Sequence, residues 1–274
     1  MTLARAVPAL GLLGALATSV SAQSPTGPGF SWVLRGVEFS ACVEFLMDPT
    51  LATKQLQPGY QVVTAARVAA LGPVLRQEVA GDSVFAGWVP AQVCFIESPT
   101  MTAGEAVFSP EKKMGTREVV GYWAIAATRP GGTAGLDQWF VAELWTNDWR
   151  VRKQTEAAYI PVSAIKHSLE PVPESAHHRL TVKVGKTVLS WDGEFAGRDS
   201  TQTSEPRQAS QVFDGMRGIH WAATVSSRPE WTRHLPGVFR VEGKDDLAQA
   251  LKASPIRMFG PMYWGGDTRV EFSR

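Results

Sequence analysis

The sequence predicts a mainly β protein whose antiparallel sheets pack against one another, as a sandwich or as an open barrel. Three observations predict it. Short segments that alternate apolar and polar residues recur along the chain, as half-buried strands do. Two pairs of these segments are joined by two-residue turns, which is typical of β-hairpins. Helix signals are good only in residues 244–253, so one short helix in the C-terminal half and few others are expected.

Alternation and apolar runs place the strands along the chain. Residues 119–127 are apolar at both parities, as expected for a central strand covered on both faces. Residues 60–80 fit a strand or a helix equally well. The helix at 244–253 has two aspartates in its first turn, two leucines four residues apart and a proline after its end. Strands are expected at residues 31–46, 84–97, 118–128, 138–146, 149–156, 179–184, 187–192, 219–226, 237–242 and 268–272.

The first residues have the pattern of an export signal. Arg5 gives a positive start, residues 6–17 are mostly apolar, and Val20-Ser21-Ala22 offers small side chains at the usual cleavage positions. Residues 1–22 are therefore expected to be a cleaved signal peptide, which places the mature chain in the periplasm or outside the cell. No later run approaches the roughly 18 apolar residues of a membrane-spanning helix, so no transmembrane segment is expected in the mature chain.

The mature chain divides at a polar stretch. Residues 23–30 form a leader rich in Pro and Gly, and residues 31–192 form a first β-rich domain or half. Residues 193–211 are rich in Ser, Thr, Gly and Glu, which favours a long loop or a domain seam. Residues 212–274 are the β-rich remainder that contains the helix. One large domain and two small ones both remain open.

Composition and charge argue against nucleic acid as the main partner. The chain has 27 Lys and Arg residues against 26 Asp and Glu, and removal of Arg5 with the leader brings the formal net charge to zero. Phosphate binding requires a basic surplus or a concentrated basic patch. With 44% apolar and 19% charged residues, the chain is globular in composition.

The two cysteines are expected to form a disulfide. Cys42 and Cys94 are the only pair available, and an exported protein meets oxidising conditions. Each lies in a predicted strand on the side opposite the more apolar row, where two neighbouring strands could bring them together. A catalytic thiol or a metal pair has no support, because the chain has no CxxC motif and no His lies close to either cysteine in sequence.

The first hairpin is predicted residue by residue around the turn Gly185-Lys186. Outward pairing places Val184 with Thr187, Val182 with Leu189, and Leu180 with Trp191 on one apolar face. The other face is polar and ends with the charge pair of Arg179 and Asp192. Glycine first in the turn suits a type II′ turn. The turn resembles the end of a phosphate-binding loop, but Leu180 stands where that loop needs glycine and a strand follows where it needs a helix.

The second hairpin is predicted around the turn Asn147-Asp148. Outward pairing places Trp145 opposite Arg150 and Glu143 opposite Arg152 on one face, with Trp139 further along the same face. Such a ladder is either an ordinary solvated face or a platform for a ligand or partner, because Trp and Arg often carry binding energy. Other tryptophans, including Trp123 and Trp191, are expected in the core.

A search for catalytic and metal-binding motifs finds little. The chain has no G-x-S-x-G, no HExxH and no dinucleotide-binding glycine pattern, and no metal or cofactor is expected. A partial resemblance to a calcium loop at residues 192–203 lacks its last carboxylate, since Thr203 stands there. Carboxylates are available for glycoside hydrolysis, although sequence does not give their separations. They are Glu143, Asp148, Glu156, Asp192 and Glu194.

The sequence therefore favours an exported, non-catalytic binding or assembly protein. Its partner would be a protein or a glycan, bound on the face of Trp139, Glu143, Trp145, Arg150 and Arg152. The alternative is a carboxylate-dependent hydrolase, most plausibly on glycans. An outer-membrane barrel is a third possibility, which the uneven strand lengths disfavour.

Overall fold

The computed structural model describes residues 30–37, 39–68, 73–108, 117–129, 138–171, 177–194, 207–227, 237–262 and 266–273. These residues form a mainly β structure with antiparallel and mixed sheets curved into a half-barrel. The predicted fold class is confirmed. The described residues do not include the predicted signal peptide (residues 1–22), residues 23–29 or most of the polar stretch at 193–211. Cleavage and export therefore stay predictions.

The secondary structure of the described residues comprises sixteen strands and four α-helices. The strands are β1 (Phe30–Arg35), β2 (Phe39–Met47), β3 (Gln61–Val62), β4 (Val89–Ser98), β5 (Thr100–Ala103), β6 (Ala106–Phe108), β7 (Glu118–Thr128), β8 (Gln138–Thr146), β9 (Ser163–Pro171), β10 (His177–Val184), β11 (Thr187–Glu194), β12 (Arg207–Asp214), β13 (His220–Ser227), β14 (Gly237–Glu242), β15 (Arg257–Met262) and β16 (Thr268–Ser273). The helices are α1 (Pro49–Gln55), α2 (Pro73–Gly81), α3 (Trp149–Ala157) and α4 (Asp246–Ala253).

The strands pair into one connected network centred on β2, β4, β7 and β8, which follow one another as antiparallel neighbours. Strand β8 also pairs with β9 and with β12, both in parallel. From β9 the sheet continues through β10 and β11 to β14, and each of these neighbours is antiparallel. On the other side, β12 leads through β13 and β16 to β1 and β5.

The two faces of the central strands pack into two cores. One face joins β10, β11 and α4 in a first core that contains Phe95, Trp123, Trp145 and Trp191. The opposite face joins β1, β16 and α3 in a second core. Because β7 contributes to both cores, its residues are apolar at both parities, as predicted. Trp123 and Trp191 are buried, which confirms their assignment to the core.

The first hairpin forms in the predicted register. Strands β10 and β11 pair Leu180 with Trp191 and Arg179 with Asp192, and the guanidinium of Arg179 lies 2.8 Å from the Asp192 carboxylate. Leu180 and Trp191 are buried, whereas Thr181 and Ser190 on the other face are half-buried. Gly185 has a φ of 55° at the first position of the turn, a conformation that glycine adopts without strain.

The second hairpin does not form, because residues 149–157 are helix α3 rather than a strand. The Asp148 carboxylate accepts a hydrogen bond of 2.6 Å from the backbone N–H of Arg150 and so caps the start of the helix. The side chains of Val151 and Thr155, four residues apart, are buried on one face of α3. Residues four apart share a face in a strand as well as in a helix, so this pair does not distinguish the two, and the cap at Asp148 is the local feature that favours the helix.

The predicted ladder of Trp145 with Arg150 and Glu143 with Arg152 is therefore wrong. Trp145 is 0% exposed and belongs to the first core. Arg150 forms ion pairs with Glu118 and Asp148, and Arg152 lies 3.9 Å from Glu156 on its own helix. The two arginines therefore do not lie on the face of β8 that carries Glu143 and Trp145.

The cysteines meet as predicted. Cys42 of β2 and Cys94 of β4 are direct cross-strand partners with their Cα atoms 4.1 Å apart, and their sulfur atoms lie within bonding distance. The pair faces away from the first core, on the side that the sequence pattern indicated.

Several boundaries differ from the prediction. Residues 31–46 form two strands rather than one, and residues 60–80 hold both the short β3 and α2. Five further strands, β5, β6, β9, β12 and β15, were not expected, and residues 207–211 of β12 lie in the stretch that was predicted to be a loop or seam. The predicted helix is α4, with Asp245 as its N-cap. Within the described residues, every helix is too short or too polar to cross a membrane.

Candidate functional site

One edge of β8 is shared by two strands that leave a gap between them. Strand β12 pairs with residues 138–140 and strand β9 with residues 145–146. On the opposite edge, β7 pairs with residues 139–146 apart from a bulge at Ala142. Residues 141–144 therefore have no strand partner on this edge among the residues that the structure describes. We call these four residues the open edge.

Glu143 is the polar side chain of the open edge that faces the first core. Its carboxylate accepts a hydrogen bond of 2.8 Å from the indole Nε1 of Trp145, and the residue is exposed. The surrounding protein removes water from this carboxylate and so raises its pKa; the Trp145 hydrogen bond opposes the rise, and the negative charge of Asp245 adds to it. Glu143 thus retains a proton to a higher pH than an ordinary glutamate.

Asp245 is brought toward Glu143 by α4. As the N-cap of that helix, its carboxylate accepts a hydrogen bond of 3.1 Å from the N–H of Ala248. It also accepts one from the hydroxyl of Thr187, the first residue of β11. Because these bonds fix Asp245 structurally, its contribution to the site is its negative charge rather than a free carboxylate.

Trp123 is the cross-strand neighbour of Glu143. The two residues pair directly in the β7–β8 register, next to a β-bulge after Trp123. Directly paired residues of antiparallel strands project on the same face, with Cβ atoms about 5 Å apart. Trp123 is 1% exposed, and its indole Nε1 has no hydrogen-bond partner among the residues that the structure describes. Glu143 therefore has the buried side chain of Trp123 as its neighbour on this face.

The ring of Trp145 packs against the ring of Phe95. The two rings stack with centroids 5.6 Å apart and planes inclined by 20°. Gly121 lies between them as the cross-strand partner of both residues. The position of a Cβ on Gly121 would be 2.6 Å from the Phe95 ring and 2.7 Å from the carbonyl oxygen of Cys94, so only glycine permits this stack.

A second carboxylate cluster lies at the end of the central strands, on the side of the second core. Glu118, 3% exposed, lies within 3.3 Å of the Arg150 guanidinium, which also forms an ion pair with Asp148. Burial raises the pKa of Glu118 to about 7, helped by the hydrogen bond and charge of Asp148 and opposed by Arg150. Burial would also raise the pKa of Asp148, but its hydrogen bonds from Arg150 outweigh it and the pKa falls. The proton of the pair therefore rests on Glu118.

A third polar group lies across the sheet from this cluster. The buried carboxylate of Glu97 lies 3.1 Å from Nε of Arg117 and 3.5 Å from Nε2 of His167. Arg117 and Glu118 are consecutive, and the side-chain amide of Asn147 fixes them by donating to the carbonyl of Arg117 and accepting from the N–H of Val119. This group joins β4 to β9 and has the form of a structural ion-pair network.

The raised pKa of Glu118 predicts a specific dependence of stability on pH. An unfolded glutamate has an ordinary pKa of 4.5, whereas folded Glu118 has one of about 7, so the folded state binds the extra proton between these values. Its contribution to stability is complete below pH 4.5 and is lost as the pH rises to about 7. We expect Glu118→Gln to remove this part of the loss, measured by urea unfolding at pH 4.5, 6 and 8.

The matched control for that measurement is Glu97→Gln, which changes the buried glutamate on the neighbouring strand. We expect it to lower stability without removing the loss of stability between pH 4.5 and 7 that Glu118 causes. Two variants with the same pH profile as the wild type would contradict the assignment of the proton to Glu118.

The sequence-predicted site residues are only partly brought together. Glu143 and Trp145 lie on one face of β8, but the bulge at Ala142 puts Trp139, the partner of Ala126, on the other face. Arg150 and Arg152 lie on α3 and contact other carboxylates. The carboxylates considered for hydrolysis are largely held in ion pairs with arginine: Asp148 with Arg150, Glu156 with Arg152, and Asp192 with Arg179.

Sequence reasoning missed the partners that complete the site. Trp123 was recognised as core, but not its unsatisfied N–H, and Asp245 was recognised only as a helix start. The N-cap position of Asp245 at the start of α4 is the signal that could have suggested a second carboxylate near Glu143. No group of three or more His, Cys, Asp or Glu side chains is placed to hold a metal ion in the part of the chain that the structure describes.

Comparison with solved structures finds several that are similar to this chain. No protein-family model and no curated protein matches it. Acetoacetate decarboxylase from Legionella pneumophila is 11% identical with a TM-score of 0.49, covering 98% of this chain and 97% of that one. An acetoacetate decarboxylase-like enzyme from Sphingomonas wittichii RW1 is 12% identical with a TM-score of 0.43, covering 90% and 91%. The enduracididine biosynthesis enzyme MppR complexed with pyruvate is 12% identical with a TM-score of 0.40, covering 94% and 92%.

These findings contradict the expectation of a non-catalytic binding or assembly protein, because the similar solved structures are enzymes. The physical reason for the error is the misplaced ladder, which suggested a flat platform of Trp and Arg where the structure has a core tryptophan and a helix. At this level of similarity no activity transfers from those enzymes to this chain.

Proposed function

We propose that this protein is an enzyme in which Glu143 transfers a proton to and from a carbon atom of a small substrate bound at the open edge of β8. The observation that carries the proposal is the environment of one carboxylate. Glu143 is exposed, it is held by the Trp145 N–H at 2.8 Å, and its pKa is raised by desolvation. A general acid–base catalyst works best when its pKa lies near the working pH.

Accessibility distinguishes Glu143 from the other carboxylate with a raised pKa. Glu118 is covered by Arg150 and is 3% exposed, so a substrate does not reach it without opening the ion pairs. Glu143 projects at the edge where β9 and β12 diverge and can be approached directly.

The neighbouring groups suit proton transfer at carbon. The indole N–H of Trp145 fixes the orientation of the carboxylate, and the charge of Asp245 favours the protonated form once the proton has been taken. The buried indole of Trp145 bonds to the carboxylate, and the surrounding protein removes water from it. Desolvation of this kind raises the pKa of a carboxylate that acts as a base on a carbon acid. The reaction is then removal of a proton from a carbon next to a carbonyl group and its return to that or another position.

The test is hydrogen–deuterium exchange, which detects proton transfer without knowledge of the complete reaction. Pyruvate and acetoacetate, which occur in the names of the structural neighbours, and acetone are incubated with the protein in D2O and followed by proton NMR. We expect the wild-type protein to accelerate exchange of at least one probe. We expect Glu143→Gln to reduce this catalysed exchange by about 100-fold or more, because one general base typically contributes that much.

The matched control is Glu156→Gln, which removes an exposed glutamate on α3 far from the open edge in the chain. It should exchange the probes at the wild-type rate. The proposal fails if the wild-type protein leaves all three probes at the protein-free rate, or if Glu143→Gln and Glu156→Gln have equal activities.

A further inference from the structure

The outer face of the sheet formed by β9, β10, β11 and β14 is open to solvent. The inner side chains of these strands, among them Leu180 and Trp191, are buried in the first core. The alternate residues project to the opposite face, and the long charged side chains among them are exposed. They are Lys166, Arg179, Lys183, Arg240 and Glu242. This outer face is separate from the open edge, because Glu143 faces the first core.

Two lysines lie directly opposite each other on the outer face. Lys166 of β9 and Lys183 of β10 are cross-strand partners, and both are exposed. Neither has an ion pair or a side-chain hydrogen bond among the residues that the structure describes. Like charges that face each other on neighbouring strands repel and destabilise a sheet. The pair therefore carries positive charge that a bound anion would neutralise.

A row of hydroxyl groups runs across the sheet beside the lysine pair. Ser168 of β9, Thr181 of β10 and Ser190 of β11 are successive cross-strand partners, and Arg240 of β14 ends the row. Within the described part of the chain, none of the three hydroxyls has a hydrogen-bond partner, and Arg240 has no ion pair. A hydroxyl both donates and accepts hydrogen bonds, whereas lysine and arginine only donate.

The spacing of these groups indicates a ligand with more than one acidic group. Neighbouring strands lie about 4.8 Å apart, and residues two positions apart in one strand are separated by about 7 Å. Lys166, Lys183, Ser168 and Thr181 thus occupy the corners of a cell of about 5 by 7 Å. Arg240 lies three strands from Lys166, which is about 14 Å across the sheet. One carboxylate does not reach both ends of the row, but a chain of repeated acidic groups does.

The remaining charges on this face limit how acidic the ligand is. Arg179 is neutralised by Asp192 at 2.8 Å, Glu170 takes the next register position beside Arg179, and Glu242 lies on β14. The available positive charge is therefore confined to the lysine pair and Arg240. Three cations among carboxylates do not form the concentrated basic patch that a nucleic acid requires.

We propose that this face binds an acidic polysaccharide. The carboxylates of the sugar acids contact the lysine pair and Arg240, and the sugar hydroxyls, which also donate and accept, bond to the hydroxyl row. An anionic membrane fits less well, because interfacial binding also uses apolar anchors and the exposed large apolar side chain on this face is Val238. The inference goes beyond the proposed function and does not depend on Glu143.

The binding test uses polygalacturonate, a polymer with one carboxylate on each sugar, added to the full protein at pH 7 and followed by isothermal titration calorimetry. We expect binding that weakens as sodium chloride is added, because exposed charges are screened by salt. We expect the double variant Lys166→Gln/Lys183→Gln to bind about tenfold more weakly, since each exposed charge pair contributes up to about fivefold.

The matched control removes two exposed lysines from helices rather than from the sheet. Lys54→Gln/Lys153→Gln changes the net charge by the same amount on α1 and α3. It should bind polygalacturonate as the wild-type protein does. Circular dichroism checks that both double variants keep the wild-type fold. Equal affinities of the two folded variants would overturn the assignment of the binding face.

Further ligands separate a polysaccharide from other acidic partners. Polyglutamate has carboxylates without hydroxyls, and vesicles of anionic phospholipid offer a charged membrane surface. We expect both to bind more weakly than polygalacturonate, and we expect Thr181→Val to lower the affinity for polygalacturonate about threefold to tenfold without changing that for polyglutamate. Equal or tighter binding of polyglutamate or of the vesicles overturns the proposal. Galacturonic acid that binds as tightly as its polymer would also overturn it, because a single-anion site would then suffice.

Discussion

Replacing Trp145 by alanine is expected to lower the free energy of unfolding by about 3 to 5 kcal/mol, the range measured for large aromatic residues removed from well-packed cores. Trp145 is 0% exposed and stacks on Phe95 at 5.6 Å. Its indole N–H also satisfies the Glu143 carboxylate at 2.8 Å. The substitution thus leaves a cavity in the first core and removes the group that orients the proposed base.

Urea unfolding followed by circular dichroism measures this loss. Trp149→Ala is the matched control, because Trp149 is 65% exposed at the first turn of α3 and four positions away in sequence. Its removal should change the free energy of unfolding by less than about 1 kcal/mol, as surface substitutions usually do. Similar small changes in both variants would show that Trp145 is not the core residue described above.

The fold class and the first hairpin could be predicted from sequence because the deciding information is local. A two-residue turn at Gly185-Lys186 fixes the register, and both faces of β10 and β11 then become consistent in polarity. A slip by one residue would have placed Leu180 and Trp191 among polar groups, so only one register was acceptable.

The second hairpin failed because two periodicities fit the same residues. Residues 149–156 alternate well enough for a strand, but Val151 and Thr155 are also spaced for one face of a helix. The deciding contacts come from remote segments: Trp32 donates to Thr155, and Asn147 bonds to β7. Nothing within the window reveals those partners, whereas the capping geometry of Asp148 could have favoured the helix.

The sequence pattern identified some residues of the candidate site but not their partners. Glu143 and Trp145 were placed on one strand face, as the structure has them, because alternation along this part of β8 is a local property. Trp139 was placed on the same face wrongly, because the bulge at Ala142 reverses the alternation and sequence does not reveal it. Their actual partners come from β7 and from the start of α4, which pairing and packing bring together over long sequence distances. The open edge itself depends on two parallel strand pairings, and sequence patterns do not specify which strands share an edge.

Among substitutions in the site that add one methyl group, Gly121→Ala is expected to lower the free energy of unfolding the most. A Cβ there lies 2.7 Å from the carbonyl oxygen of Cys94 and 2.6 Å from the Phe95 ring, closer than real Cβ atoms approach. The backbone oxygen does not move easily, so strand β7 and the Phe95–Trp145 stack must separate. Overpacking of this kind costs about 3 kcal/mol, at the upper end of its usual range.

The same substitution links the packing of the first core to the proposed chemistry. If the stack separates, Trp145 loses its fixed place beneath Glu143, so we expect catalysed exchange of the ketone probes to fall together with the free energy of unfolding. Gly81→Ala is the control, because nothing lies within 4 Å of its Cβ position at the end of α2. It should match or slightly exceed the wild-type stability, since alanine restricts the unfolded chain more than glycine does. A Gly121→Ala protein with wild-type stability and wild-type exchange would mean that β7 and β4 are not as close as this stack requires, and with them the placement of Trp123 beside Glu143 would have to be revised.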